Sequence, residues 1–167
     1  MSDRLNVHQI CKAAAVTRTQ FNQWVARGYF TPEEPPVHGK PRSFSFREGV
    51  TLAAFAELIR LGIPHDIAAV HSTRLHAFND EPALLVVYQG PMELIPTSER
   101  GSPLPGTKRG LKFYDPDRPQ FQNNIIKLSQ VAAYAANPDV RSMAVVNLNH
   151  LEARVKTALE SGAADDK

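Results

Sequence analysis

Two helix-start signals, Asn6 with Gln9 and Thr17 with Gln20, stand eleven residues apart in the sequence. In such a box the first side chain accepts an orphan backbone N–H three residues on, and the second reaches back to the cap. The spacing leaves room only for a short helix and a tight turn before the next helix begins. After Asn6, "VHQICKAAA" sets Val7, Ile10, Cys11 and Ala14 at helical intervals, predicting a helix to about Ala14. After Thr17 a second helix is expected over about 18–27, with Gly28 where a C-cap belongs. Two short helices so joined make a helix-turn-helix, whose corner Val16, Phe21 and Val25 can seal. Cys11 reads as a small buried residue of the first helix. On the second, Phe21, Trp24 and Val25 share one face, leaving Arg18, Thr19, Asn22 and Gln23 as the outward set. Trp24, on that inward face, reads as core or elbow packing rather than as a platform for bases.

The next stretch, "TPEEPPVHGKPRSF", is too rich in proline for a helix, and its flanking aromatics predict a short hairpin or wing. His38, Lys40 and Arg42 fall at its tip. Ser45 with Glu48 forms a third capping box and opens a largely buried helix that stops at Gly62 and Pro64. "PHDIAAVHSTRLHAF" predicts a further helix over 65–77.

Composition changes at "NDEP", residues 79–82. "ALLVVYQG" has the pattern of a buried strand, "MELIP" is a candidate partner for it, and "GLKFYD" is a weaker strand candidate. Between the last two lies the Gly/Pro/Ser-rich loop "TSERGSPLPGTKRG". "NNIIKLSQVAAYAANPD" reads as a strand passing through Ser129 into a short helix ended by Asn137-Pro138. "SMAVVNLNHLEARVKTALE" reads as a strand and then a helix capped by Asn149 with Glu152. That helix carries Leu148, Leu151, Val155, Ala158 and Leu159 as one stripe, to pack on its own sheet or to seal a symmetric dimer. The expected fold class is α+β: an N-terminal winged helix-turn-helix over 5–78, a small α+β domain over 80–161, and a frayed tail over 162–167.

Charge bears on function. The 167-residue chain has a net charge of only +2, but residues 4–47 hold seven basic side chains against two acidic ones. From residue 77 onward ten basic residues face eleven acidic ones. A positive end joined to a nearly neutral remainder is the asymmetry expected when one part of a chain touches a polyanion. The outward set suits base reading, because arginine bonds guanine in a bidentate manner and asparagine or glutamine does the same with adenine. Lys108, Arg109 and Lys112 of "TKRGLK" are either a second phosphate contact or a solvated loop.

Other classes are disfavoured. The polar start and the lack of an 18-residue apolar window lead us to expect a cytoplasmic protein with no secretory signal or membrane span. A single cysteine excludes an internal disulfide and zinc clusters that need several thiolates. His65, His71 and His76 are spaced by six and five, on different helix faces, so no metal is expected. "SER" at 98–100 lacks the glycine frame of a nucleophile elbow, and there is no phosphate-binding glycine loop and no recognisable acid pair. No cofactor and no enzymatic activity are expected.

The order of helix, turn, helix, basic proline-containing wing, capped apolar helix and "LGIP" stop resembles the MerR family of transcription regulators. The resemblance covers about residues 5–75 and is densest in "RSFSFREGVTLAAFAELIRLGIPHDIAAV", where Arg42, Phe44, Ser45, Glu48, Leu61 and Gly62 match the family pattern. It implies that the second helix enters the major groove, with Thr17, Arg18, Thr19, Asn22 and Gln23 at bases or nearby phosphates. It also implies that wing residues Lys40 and Arg42 hold phosphates. Arg27, in the same basic end, joins this DNA-binding set. The family's usual dimerising helix is interrupted here by "NDEPALLVV". We therefore expect residues 80–160 to couple two copies, with Leu151, Val155 and Leu159 contributing directly or through the sheet. The resulting expectation is a homodimeric, sequence-specific double-stranded DNA-binding regulator whose C-terminal part can also meet a protein partner. The alternative is an excisionase-like recombination factor or the DNA-recognition subunit of a phage packaging motor.

Overall fold

The structure, a computed structural model, describes residues 4–90 and 121–162. "MELIP", the glycine-rich loop, "GLKFYD", the "TKRGLK" cations and residues 163–167 of the expected tail lie outside the described residues. The elements are β1 (Leu5–Asn6), α1 (Val7–Ala14), α2 (Arg18–Ala26), β2 (Ser43–Phe44), α3 (Phe46–Arg60) and α4 (His65–His71). There follow β3 (Ala83–Gln89), β4 (Phe121–Lys127), a 3-10 turn (Leu128–Gln130), α5 (Val131–Ala136), β5 (Ser142–Asn147) and α6 (Leu148–Gly162). The architecture is mixed α/β.

All three capping boxes form, at Asn6, Thr17 and Ser45. Three helices end in the same way, with the chain turning left-handed at Ala15, Gly28 and Gly62. At each, the N–H of the left-handed residue bonds back to Lys12, Val25 or Ile59, and the next N–H to Cys11, Trp24 or Leu58. Alanine at position 15 takes this conformation at φ 52°, where glycine would cost less. The expected helix over 65–77 is a single short α4 ending at His71. The hydroxyls of Ser72 and Thr73 bond back to the carbonyls of Ala69 and Val70, and Arg74 turns left-handed at φ 57°. Hydroxyls that compete for helix carbonyls end the element early.

The sheet has the order β4-β3-β5, antiparallel throughout. Central β3 is buried on both sides. Ala83, Leu85 and Val87 face the core shared with the helices, while Leu84, Val86 and Tyr88 face Ile126 and Tyr134 beneath α5.

The stripe on α6 departs from expectation. Leu148, Leu151, Val155 and Ala158 are buried in one core with Leu5, Ile10, Val50 and Leu52, so α6 packs chiefly on α1 and α3 rather than on the sheet alone. The apolar faces of α1 and α3 need a cover, and α6 supplies it. Gln9 Nε2 donates to the Ala158 carbonyl at 2.9 Å, and Arg154 meets Glu57 at 3.1 Å. A Cβ at Gly49 would lie 2.8 Å from both Leu5 Cδ1 and Val155 Cγ1. The core thus runs unbroken across residues 79–82, where the composition changes.

The expected cap Asn149 is also reassigned. Asn147 Oδ1 accepts the His150 N–H at 3.2 Å, whereas Asn149 Oδ1 accepts the Ala83 N–H at 2.7 Å and ties α6 to the start of β3. The two asparagines lie two residues apart, and both are cap-forming types; only the tertiary contact assigns their roles.

Two outcomes follow from this packing. Gly49→Val should lower the unfolding free energy by about 1–3 kcal/mol through overpacking, and Val155→Ala in the same chain should recover part of the loss, as read by urea denaturation. Burial pushes the His71 imidazole below its ordinary pKa, and its Nδ1 is buried without a hydrogen-bond partner among the described residues. The neutral ring is therefore the folded form. Stability should be full above about pH 6.5 and be lost as the pH falls through the depressed folded value, because the unfolded chain takes the proton first. His71→Gln should shrink the drop in Tm between about pH 7.5 and about pH 5.

Candidate nucleic-acid interface

The rotation of α2 is set by its inner face. Phe21 meets Phe44 edge-on at 5.6 Å and Phe30 at 5.9 Å, while Trp24 meets Phe55 edge-on at 4.7 Å. With those rings inward, Arg18, Thr19, Asn22 and Gln23 are exposed along the opposite side, and Arg27 is exposed at the helix end. Trp24 is core, as expected. Thr17 is also exposed, but its hydroxyl is engaged locally: it accepts the Gln20 N–H at 3.1 Å and contacts Gln20 Oε1 at 3.2 Å. It shapes the start of α2, while the other five present their polar groups to solvent.

The tilt of α2 against α1 is held from outside the pair. Arg60 Nη2 donates to the carbonyls of Ala14 at 2.9 Å and Ala15 at 2.6 Å, the orphan acceptors at the end of α1. Its Nη1 is 2.7 Å from Glu57, which also receives Arg154 of α6. These groups are partly exposed, so each pair contributes little stability by itself. Their value is geometric, since the turn before α2 is braced by α3 and, through Glu57, by α6. Neither Arg60 nor Glu57 carries a local motif that would have announced this.

The proline-rich loop does not form a hairpin. Ser43–Phe44 pairs with Leu5–Asn6, in a two-stranded ladder that encloses α1 and α2. Pro32, Pro35, Pro36 and Pro41 lack the N–H groups a second ladder strand would need. The loop is instead fastened at both ends. Glu48, 4% exposed, accepts the Glu33 N–H at 2.8 Å and the Ser45 N–H at 2.6 Å. Arg4 donates to Ser43 Oγ at 3.0 Å and to its carbonyl at 3.1 Å, and pairs with Glu34 at 3.0 Å. Between these anchors a turn closes from Lys40 N–H to the Val37 carbonyl at 3.1 Å, with Gly39 at φ +78°. His38 and Lys40 are exposed and Arg42 is half-buried.

Charge is sorted by this arrangement. The loop's acids are turned to structural use, Glu34 on Arg4 and Glu33 on the Ser45 hydroxyl at 3.3 Å. Among the described residues, Lys12, Arg18, Arg27, Lys40 and Arg42 form no ion pair. Nothing in the sequence beyond its charge marks Lys12. It lines one shallow groove with Arg18, Val7, His8, Cys11 and Val16. Burial raises the pKa of the Cys11 thiol, an effect opposed by the positive charge of Arg18.

The histidines go to separate surroundings. His65 sits among Trp24, Tyr29 and Phe55, His71 is held between α4 and β4, and His76 stacks edge-on with Phe78 at 5.3 Å. Among the described residues no group of three or more His, Cys, Asp or Glu is placed to hold a metal. No described helix is long and apolar enough to cross a membrane. No protein-family model matches the chain, and no curated protein does.

Glu48 is the most exacting part of the loop's attachment. Glu48→Ala leaves two backbone donors without their acceptor and should cost about 1–3 kcal/mol in denaturant unfolding. It should also speed protease cleavage within residues 33–42. Glu48→Gln, which keeps one carbonyl oxygen, should be milder in both measurements.

Proposed function

We propose that this protein is a sequence-specific double-stranded DNA-binding transcriptional regulator that works as a winged helix-turn-helix. The observation that carries the reading is the pairing of two surfaces on one rigid support. One is the exposed Arg18, Thr19, Asn22 and Gln23 face of α2, and the other is a fastened loop whose cations Lys40 and Arg42 form no ion pair among the described residues while its acids are engaged. Phe44, one residue beyond Ser43 at the base of the loop, touches Phe21 on the inner side of α2, so the same core supports both. In this reading α2 lies in the major groove, where Arg18 bonds guanine and Asn22 or Gln23 bonds adenine. Lys40, Arg42 and Arg27 hold phosphates and set the register, with Lys12 beside Arg18 as a further phosphate contact. Residues 5–78 carry the DNA contacts, and residues 80–161 complete their core and join two copies. Cytoplasmic location follows from this role.

Binding to selected duplex sites, measured for variants and across salt, tests the assignment. Arg18→Ala, Asn22→Ala and Gln23→Ala should keep the fold, and each base-reading member should lose about 1–3 kcal/mol of specific binding. Lys40→Ala and Arg42→Ala should weaken binding on every sequence alike and reduce the salt slope by about one per lost phosphate contact. Unchanged affinity and specificity in all five would overturn the proposal. Occupied genomic sites at promoters would support regulation, whereas attachment or packaging sites would shift the role to recombination or packaging.

A further inference from the structure

We propose that β5 is the edge through which two copies of this protein associate, their β5 strands pairing antiparallel about a two-fold axis to join the two sheets. The purpose of this pairing rests on the DNA-binding reading; the interface itself stands on the sheet alone.

In the order β4-β3-β5, one side of the β5 backbone is unpaired among the described residues. Proteins blunt such edges with proline, charge, bulges or short strands, because an open edge is a template for another strand. β5 has none of these devices. It is six residues long, reads "SMAVVN", and keeps an unbroken register with β3 from Leu84–Asn147 to Gln89–Ser142. Its outer face is apolar as well. Met143 and Val145 lie opposite Tyr88 and Val86, which are buried, yet are themselves 36% and 38% exposed. Among the described residues, the apolar surface that α5 covers over β3 therefore continues to the β5 edge without cover. The opposite edge differs: β4 presents Gln122, Asn123 and Asn124, and its Lys127 is held by Asp80.

A second copy is the occupant this edge fits. An antiparallel strand is its own complement, since a two-fold axis normal to the sheet lays donors on acceptors whatever the sequence. The same axis preserves faces, so Met143 and Val145 of both copies meet on one outer surface. With Val145 at the axis, each Met143 lies opposite the other copy's Asn147, and the two Arg141 side chains stand at opposite ends of the paired strands. The other apolar stripe offered by the sequence, on α6, is consumed inside the fold by α1 and α3. Operators read by paired modules place half-sites about one helical turn apart, which is the coupling such a dimer provides.

The full chain, free of DNA, should show dimer mass in multi-angle light scattering. Met143→Lys with Val145→Lys should halve that mass while the far-UV circular dichroism spectrum is kept, and should lower affinity for a paired site towards that for a single site. In a Cys11→Ser background, single cysteines introduced as Met143→Cys, Ala144→Cys or Val145→Cys give a second readout. Directly opposed residues lie about 4.5–5.5 Å apart, within disulfide range, so oxidation should cross-link Val145→Cys covalently and efficiently. A monomeric unaltered chain would overturn the proposal, whether a segment of the same chain or nothing covers β5. A dimer that none of the three cysteines cross-links, and that survives the lysine pair, would place the interface elsewhere. If the chain dimerises through β5 yet binds no duplex, the DNA reading falls and the interface stands. If a monomer binds its sites specifically, the reverse holds.

Discussion

The contact at Gly49, where α3 and α6 approach so closely that a side chain has no room, is the constraint on which the rest of this molecule depends. It brings the last helix against the first and third, and the buried faces of α1, α3 and α6 become one core. A glycine inside a helix is unfavourable by roughly 0.5–1 kcal/mol relative to alanine. Here that cost secures an apolar interface of Leu5, Val155 and Leu151, whose burial contributes roughly 1.5–3 kcal/mol for each fully covered side chain. The balance favours the close approach.

From this core the geometry is passed outward by polar groups. Arg60 caps the carbonyl end of α1, where a positive group is doubly suited, by hydrogen bonding and by the helix dipole. Because Glu57 joins Arg60 to Arg154, the turn ahead of α2 is referenced to α6 as well as to α3. Glu48 does the same for the loop, combining a helix cap with a grip on the Glu33 backbone. Under the proposed function, a helix that reads bases and a loop that holds phosphates need a fixed relation to one another. These two side chains, Arg60 and Glu48, supply it from one helix.

Local signals are legible in this sequence and distant ones are not, for a physical reason. Capping boxes and left-handed stops are closed by residues three to six positions apart, so Asn6, Thr17, Ser45, Gly28 and Gly62 announced the ends of α1, α2 and α3 in the sequence. The continuous apolar run of β3 likewise marks a buried strand. The outward set on α2 was legible because three large apolar residues dictate one helix rotation. What escaped was whatever depends on a partner far along the chain. An apolar stripe states that α6 must be covered but not by what, and Asn147 and Asn149 have equal claims to a cap until β3 arrives. The pairing of Ser43 with Asn6, and the grip of Arg4 on the loop, are invisible for the same reason. Arg27, Lys40 and Arg42 could be named from charge, whereas the sorting of Glu33 and Glu34 away from them required the fold.

The bond from Gln9 to Ala158 spans 149 positions of sequence, and it has a consequence for the life of the polypeptide. During synthesis α1, α2 and α3 emerge first, and the surface that α6 covers stays open until α6 itself has left the ribosome. Folding that waits for such distant contacts is slow and leaves apolar surface exposed meanwhile. A ribosome stalled before α6 therefore yields a chain whose α1 and α3 lack their cover. So does a protease that removes the final helix. Helix α6, although it carries none of the proposed base contacts, thus acts as a late check on folding: α2 is presented on a solid support only once α6 has arrived and for as long as it stays attached.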